Sequence, residues 1–458
     1  IMPSLVGSEM CIRDRPRTPA SSPSPDAAVP AVPAGSAGAP GQPAPEVIGW
    51  EAAAAAARRL APAGPRLSRR EAGAVVESVR YQANAAVDHV HAITGLEAAR
   101  NLHDSEVLVV DRAGWSRANA QTFAFLLNRL LAVGPGKRVQ DMSGLDRRVT
   151  AAGAAVELGG LLAFLSGKVL GQYDPFAALG GHGAAGGRLL LVAPNIAMLE
   201  RELNVEPEDF RLWVCLHEQT HRVQFAAAPW LRGHLLELIT RLPEGLGGGG
   251  GELVQRLGEA ARRALSARRE QDGQDSPDGE RPVPGNRMSL LLDEDSAAAL
   301  SQLTAIMSLM EGHANVVMDA VDASIVPTVK TIRRRFDARP QRGLLDRAMR
   351  RALGLDLKMR QYRDGQEFVR TILRERGMDV VNRVWEGPEH LPSEREIHNP
   401  HRWIARVLDG APEDSAPADD AAASARAVGT GADGTDAEGA GSDAPGSEAR
   451  GVDGTERR

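Results

Sequence analysis

Residues 210–225 read FRLWVCLHEQTHRVQF and contain two histidines four positions apart, with a glutamate directly after the first. Pro207 and the two acidic residues after it are typical of the first turn of a helix, where proline fits and negative charge faces the positive end of the dipole. From there, apolar residues, His217 and His221 recur at spacings of three and four, which indicates one inward face. The stretch therefore predicts a long helix with two histidines on its buried side.

This spacing is suited to binding a metal ion. Residues four apart on a helix stand one turn above each other, about 5–6 Å between Cβ atoms. Both imidazoles can then reach one Zn²⁺ at about 2.0–2.1 Å. Glu218 points about 100° away from His217 around the helix, where it can reach a water on the metal without binding the metal itself. The motif predicts Zn²⁺ as cofactor, His217 and His221 as ligands, and Glu218 as the catalytic base.

A third ligand is expected on a second helix, in the stretch MSLMEGHANVVMDAV. Glu311 interrupts the apolar side of this helix, where an unpaired carboxylate would be costly and a metal would explain its place. Gly312 beside it removes a side chain and would let the two helices approach closely. The rival ligands are His313, His234 and Asp319, of which His313 points about 200° away from Glu311. Two histidines, one glutamate and an open position form the catalytic type of zinc site.

Composition limits the classes of partner. The chain has 458 residues, 43% of them hydrophobic, and a net charge of −6, which suits one large domain or two ordinary ones. Since no basic block is present, we expect no nucleic-acid partner. No apolar run approaches the roughly 18 residues that span a bilayer, so we expect no membrane partner. A cytoplasmic location is expected, with a lost signal peptide left open.

The chain divides into segments of different composition. In residues 1–15, LVGSEMCIRDR looks like a translated sequencing adapter. Residues 16–45 and 410–458 are poor in large apolar residues and are expected to be disordered. A Gly-rich stretch and a polar, Pro-containing stretch flank the expected surface insertion. The predicted segments are 1–15 (adapter artefact), 16–45 (Pro/Ala-rich lead-in), 46–409 (metallohydrolase domain, with the mobile insertion at about 245–287) and 410–458 (acidic Ala/Gly-rich tail).

Helical periodicity dominates the remaining sequence and predicts a mainly α fold with a minor α+β character. One or two short strands are expected, at Arg188–Ala193 and Glu106–Val110, because these runs are apolar and end at turn-forming residues. The predicted helices lie at 69–99, 116–133, 147–168, 207–241, 296–323, 345–353 and 363–376.

Several strings around the histidine motif are similar to one known family. WVCLHEQTHRVQF, followed by PWLR and MEGHANVVMD and preceded by VLGQYDPF and VAPNI, resembles the zincin-like hydrolases of actinobacteria. These proteins are labelled zinc-dependent metalloproteases and are sometimes associated with deazaflavin-coenzyme biosynthesis. Segments 109–119, 361–369 and 382–407 also fit, so the resemblance covers nearly all of residues 46–408. It implies a zincin-like, gluzincin-type catalytic domain with an active-site helix and a second ligand helix.

The same resemblance implies His217, His221 and Glu311 as zinc ligands and Glu218 as general base. Related zincins often carry an aspartate four residues after the glutamate ligand, where it accepts a hydrogen bond from the first histidine; this chain has Asn315 there, and Asp319 is the alternative.

The reaction expected is attack of a zinc-activated water on an amide carbonyl. Tyr362 and Tyr173 are candidates to stabilise the oxyanion, each with the alternative that it is satisfied locally. Strand Arg188–Ala193 could pair with an extended peptide. The expected partner is a peptide or small amide substrate. Alternatives are a zinc amidohydrolase acting on a small metabolite and an inactive zinc-binding or interaction protein. The sequence leaves the substrate and the oligomeric state open.

Overall fold

The computed structural model describes four stretches of the chain. The predicted adapter, lead-in, insertion and tail lie outside these stretches, as does the predicted helix at 345–353. The described residues are 48–133, 144–242, 294–338 and 355–410, with side chains described for 48–128, 151–242, 294–338 and 363–410.

Helices make up most of the described residues, so the mainly α prediction is confirmed. No helix among the described stretches is long and apolar enough to cross a membrane. The helices are α1 (Trp50–Leu60), α2 (Arg69–Thr94), α3 (Arg112–Val133), α4 (Gly144–Ser166), α5 (Ala193–Leu203), α6 (Pro207–Ala227), α7 (Leu231–Arg241), α8 (Glu294–Ala320), α9 (Val329–Asp337), α10 (Leu355–Arg376), α11 (Met378–Asn382), α12 (Glu394–His398) and α13 (Pro400–Asp409).

A small sheet of three strands accompanies the helices. Both predicted strands are present, as β1 (Glu106–Val110) and β3 (Arg188–Val192), and they pair in parallel. The sequence did not predict β2 (Gly171–Asp174), which runs antiparallel to β3. The strand order is β1–β3–β2, so β3 is central, and all five of its residues are buried. The expectation that β3 offers an edge to a peptide is therefore wrong, because both of its edges are occupied.

Residues 207–241 form two helices, so the prediction of one continuous helix was wrong. Helix α6 ends at Ala227, and α7 begins at Leu231. Pro229 lies between them, and a proline disfavours helical geometry in the residue before it. Ala228 accordingly has a non-helical backbone, with φ −122° and ψ 72°. The break turns the chain directly after the histidine motif.

Helix α6 lies in the main core. Its Phe210, Cys215 and Leu216 are fully buried in one cluster with residues of α2, α5, α8 and α10. Helix α2 packs along it, and Gln219 of α6 donates a hydrogen bond to the Ala83 carbonyl of α2 at 2.7 Å. Helix α6 is thus buried against α2 on one side and presents its histidines toward α8 on the other side.

Helix α8 crosses α10 at a pair of glycines. A Cβ atom at Gly312 would collide with the backbone of Gly365, and one at Gly365 would collide with the Ser308 carbonyl. Gly312 therefore allows a close helix approach, as predicted, but toward α10 and not toward the histidine helix. Helix α8 is thereby packed directly against α10. Glu311, the residue before Gly312, faces the histidines of α6.

Candidate metal centre

Three side chains from helices α6 and α8 converge on one another. The Nε2 atom of His217 lies 3.9 Å from Oε2 of Glu311, and Nε2 of His221 lies 3.8 Å from Oε1. The two imidazole rings are 4.9 Å apart between centroids and nearly perpendicular. Among the described residues, these three form the group whose geometry could hold a metal ion, with one ligand atom from each within 4.8 Å of the others.

The donor set fits zinc. Nitrogen and oxygen ligands about 2.1 Å from a tetrahedral ion lie roughly 3.4 Å from one another. The two His–Glu contacts, at 3.9 and 3.8 Å, therefore need to close by about half an ångström. All three side chains are partly exposed, which leaves room for a fourth ligand. Burial, with a smaller effect of His221, lowers the pKa of His217, so its imidazole is neutral as a metal ligand must be.

Glu218 lies beside these residues, against strand β2. Its side chain is buried, and a Cβ atom at Gly171 would lie 2.5 Å from the Glu218 carboxyl carbon. Burial and, to a smaller extent, the nearby Glu311 carboxylate together raise the pKa of Glu218 to about 8. A cation at the centre would favour the charged form of Glu218 instead.

A chain of hydrogen bonds leads from His221 into the core. Its Nδ1 atom lies 3.0 Å from Oε1 of Gln224. The Gln224 amide nitrogen lies 2.9 Å from the Met310 carbonyl oxygen and 3.0 Å from Nδ1 of His313. His313 is fully buried and contacts the Trp385 ring edge to face at 5.4 Å between centroids. The sequence analysis assigned no role to Gln224.

The rival ligands lie elsewhere. Gln224 lies between His313 and the metal centre, and His234 of α7 packs against Trp230. Asp319 pairs with Arg370 and Arg333 and accepts a hydrogen bond from Gln366. It is therefore occupied at the outer side of the α8–α10 contact, and the expectation that it supports His217 was wrong.

Asn315 lies one turn after Glu311 on α8, at the position where the resemblance suggested an aspartate. It is half-buried and makes no hydrogen bond to His217 among the described residues. In this chain a metal-site histidine is instead supported by Gln224, whose amide oxygen accepts a hydrogen bond from Nδ1 of His221.

The two tyrosine candidates have different outcomes. The Tyr173 hydroxyl donates to the Gly186 carbonyl, and its ring packs on Phe225 at 5.3 Å. Tyr173 is thus satisfied locally, which was the alternative reading. Tyr362 belongs to α10, but its side chain lies outside the described residues, so its role in oxyanion binding stays a prediction.

Comparison with known proteins identifies the family. The chain belongs to the zincin-like metallopeptidases, whose family profile matches residues 48–404. It is also similar to a crystal structure from Chloroflexus aurantiacus, described as a "putative hydrolase with a novel fold". That chain shares 30% identity with a TM-score of 0.51, and the match covers 80% of this chain and 100% of the other. No protein of curated function gives a match.

Family membership confirms the resemblance seen in the sequence. It supports a hydrolase that uses a metal, typically zinc, and His217, His221 and Glu311 form a group that could hold that metal. The actinobacterial origin, the deazaflavin association and the cytoplasmic location stay predictions.

Proposed function

We propose that this protein is a zinc-dependent hydrolase that cleaves amide bonds in extended peptides. The proposal rests on one observation: two imidazoles and the carboxylate of Glu311 converge, and the second carboxylate, that of Glu218, lies beside them. A purely structural zinc site has four protein ligands and no use for a free acid at that place. His217, His221 and Glu311 would hold the ion.

Glu218 would act as the general base and acid. When bound, zinc supplies a Lewis acid that polarises a carbonyl and lowers the pKa of a water to about 7. The Glu218 carboxylate takes the proton of the attacking water and passes it to the leaving nitrogen. Its close contact with the main chain of Gly171 limits where the carboxylate can lie.

The free edge of β2 supports a peptide as substrate. The Val192 amide donates to the Leu170 carbonyl at 2.8 Å, so alternate residues of this ladder point their main-chain groups toward β3. By this alternation Gln172 faces β3, and the N–H and C=O groups of Gly171 and Tyr173 point outward. Among the described residues no strand pairs with this edge. An extended peptide added here would pass directly beside Glu218.

The proposal is tested by measuring zinc content and hydrolysis together. Wild type and Glu218→Gln are purified with zinc, and each is incubated with a mixed peptide library and a panel of small amides. We expect one zinc per chain in both proteins, peptide cleavage by wild type, and a loss of at least about 100-fold in Glu218→Gln. Glu237→Gln, an exposed carboxylate on α7, is the matched control and should cleave like wild type.

Three other outcomes separate the alternatives. Cleavage of small amides without peptides would favour a metabolite amidohydrolase. Stoichiometric zinc without any cleavage would favour a zinc-binding or interaction protein. Absence of zinc after purification with the metal would refute the metal site itself.

A further inference from the structure

We propose that Gln224 is a positioning residue that fixes the tautomer and ring orientation of His221 for metal binding. The inference rests on the proposed function, because it concerns the ligand set assigned there. Gln224 lies three residues after His221 on α6 and is fully buried. It contacts a metal-site residue at one end and the core of α8 at the other.

The Met310 carbonyl decides which way the amide of Gln224 points. A carbonyl oxygen only accepts hydrogen bonds, so the atom 2.9 Å from it must be the amide nitrogen of Gln224. The amide oxygen is then the atom 3.0 Å from Nδ1 of His221. An oxygen without hydrogen can only accept, so Nδ1 of His221 carries the proton. Nε2 of His221 is left with its lone pair, and it is the nitrogen that faces Glu311.

His313 completes the arrangement from the other side. The second hydrogen of the Gln224 amide is donated to Nδ1 of His313 at 3.0 Å, so His313 accepts at Nδ1 and is protonated at Nε2. Nε2 has no hydrogen-bond partner among the described residues, and the His313 ring lies 82° from the plane of the Trp385 ring.

An amide suits this position better than the other polar side chains. The side chain at position 224 must offer one acceptor to the N–H of His221 and two donors, one to the Met310 carbonyl and one to Nδ1 of His313. This is the hydrogen-bonding set of a primary amide. A carboxylate would carry no donor and would face the Met310 carbonyl with negative charge. An apolar side chain would take this partner from Nδ1 of His221 and from the buried Nδ1 of His313, and it would remove the second hydrogen bond to the Met310 carbonyl.

The same helix provides a matched control. Gln219 is also a fully buried glutamine of α6, but its amide donates to the Ala83 carbonyl of α2, away from the metal centre. Replacing either glutamine by methionine nearly conserves volume and removes its hydrogen bonds. Both variants should lose stability, but only Gln224→Met should change metal binding.

The experiment measures zinc affinity by competition with a chromogenic chelator, on the full chain, for wild type, Gln224→Met, Gln224→Glu and Gln219→Met. We expect Gln224→Met to bind zinc roughly 10- to 100-fold more weakly, as is typical for partners of metal ligands. Gln219→Met should stay within about threefold of wild type. Gln224→Glu keeps an acceptor for His221 and should bind zinc more tightly than Gln224→Met, although it is less stable than wild type. A packing role alone would reverse this order.

Cobalt substitution gives a readout independent of activity. The visible bands of Co²⁺ report ligand geometry, and we expect them to change in Gln224→Met and to match wild type in Gln219→Met. If Gln224→Met does not fold, His313→Leu is the second variant, and it should weaken zinc binding by roughly three- to tenfold. Wild-type affinity in Gln224→Met, or in His313→Leu if that variant must replace it, would overturn the positioning role alone. Absence of zinc from wild type would overturn both the proposed function and this inference.

Discussion

The backbone of Gly171 lies directly against the side chain of Glu218. A methyl group at position 171 would come within 2.5 Å of the Glu218 carboxyl carbon and 2.6 Å of its Cγ atom. Strand β2 and helix α6 therefore meet at a point where one partner is a main chain without a side chain and the other is the proposed base. The absence of a side chain on the strand is what lets the carboxylate pack there.

The first prediction concerns this contact. In Gly171→Ala the methyl group displaces the carboxyl group of Glu218, because the atoms nearest to the new Cβ belong to that side chain. We expect peptide hydrolysis to fall by roughly 10- to 100-fold, since small displacements of a catalytic group are costly, while zinc content stays at the wild-type level. Both are measured on the same preparation.

Gly233→Ala on α7 is the control for this prediction. A Cβ atom at Gly233 would meet nothing within 4 Å, so its activity should match wild type. Full activity in Gly171→Ala would show that Glu218 is not held by this contact.

The second prediction concerns the crossing of α8 and α10. In Gly312→Ala the new methyl group meets the main chain of Gly365, so the helices must separate. We expect the free energy of unfolding to fall by about 1–3 kcal/mol, as for other overpacked cores, measured by urea unfolding. Gly160→Ala in α4 has open space and should be neutral or stabilising by up to about 1 kcal/mol. Equal stability of the two variants would contradict the close crossing.

The local part of the site could be predicted from the sequence. The spacing of His217, Glu218 and His221 is set within one helix, and Glu311 stands out because it interrupts an apolar face of another. Helical geometry alone then fixes which side chains share a face. The structure brings together the same three candidate ligands that the sequence analysis named.

The remaining features depend on contacts between distant parts of the chain. Strand β2 has no β-branched run and forms because β3 offers it a partner, so its short sequence carries little signal. The role of Gln224 depends on Met310 and His313, 86 and 89 residues away. A buried polar residue three positions after a metal-binding histidine is the one sequence signal that could have pointed to it. Likewise, no local pattern shows that Gly312 packs on Gly365.

The third prediction concerns pH and the start of α6. The Glu208 carboxylate is partly buried, which raises its pKa, but hydrogen bonds from Gln82, Ser78 and Arg211 outweigh this and leave its pKa below 4.5. A lowered pKa in the folded state stabilises the protein above the unfolded value of about 4.5, and this stability is lost as pH falls through the lower folded value.

We therefore expect Glu208→Gln to be less stable than wild type at pH 6–7, with the difference shrinking as pH falls below about 4.5. The side chain is half-exposed, so the difference should be under about 1 kcal/mol. Urea unfolding from pH 7 to pH 3 measures it. Glu206→Gln changes the same charge at the helix N-cap, where the side chain makes no capping bond. If the stability difference between wild type and Glu208→Gln grew on acidification, the lowered pKa of Glu208 would be contradicted.

The fourth prediction separates the two effects of Glu311 on stability. Without metal, its carboxylate lies near Glu218 and raises the pKa of that residue, so the two acids disfavour each other. Metal-free Glu311→Gln should therefore be at least as stable as metal-free wild type. With zinc at 100 times its dissociation constant, wild type should gain about 2.7 kcal/mol, because only the folded state joins the three ligands. Glu311→Gln should lose most of this gain.

Thermal unfolding with excess chelator and with excess zinc measures both effects on each protein. The order of stability should thus reverse between the two conditions. Glu237→Gln removes an exposed carboxylate from α7 and should follow wild type in both. A zinc-dependent gain in Glu311→Gln equal to that of wild type would show that Glu311 is not a ligand. A loss of metal-free stability in Glu311→Gln would show that the carboxylate has a structural partner, since repulsion from Glu218 predicts the opposite sign.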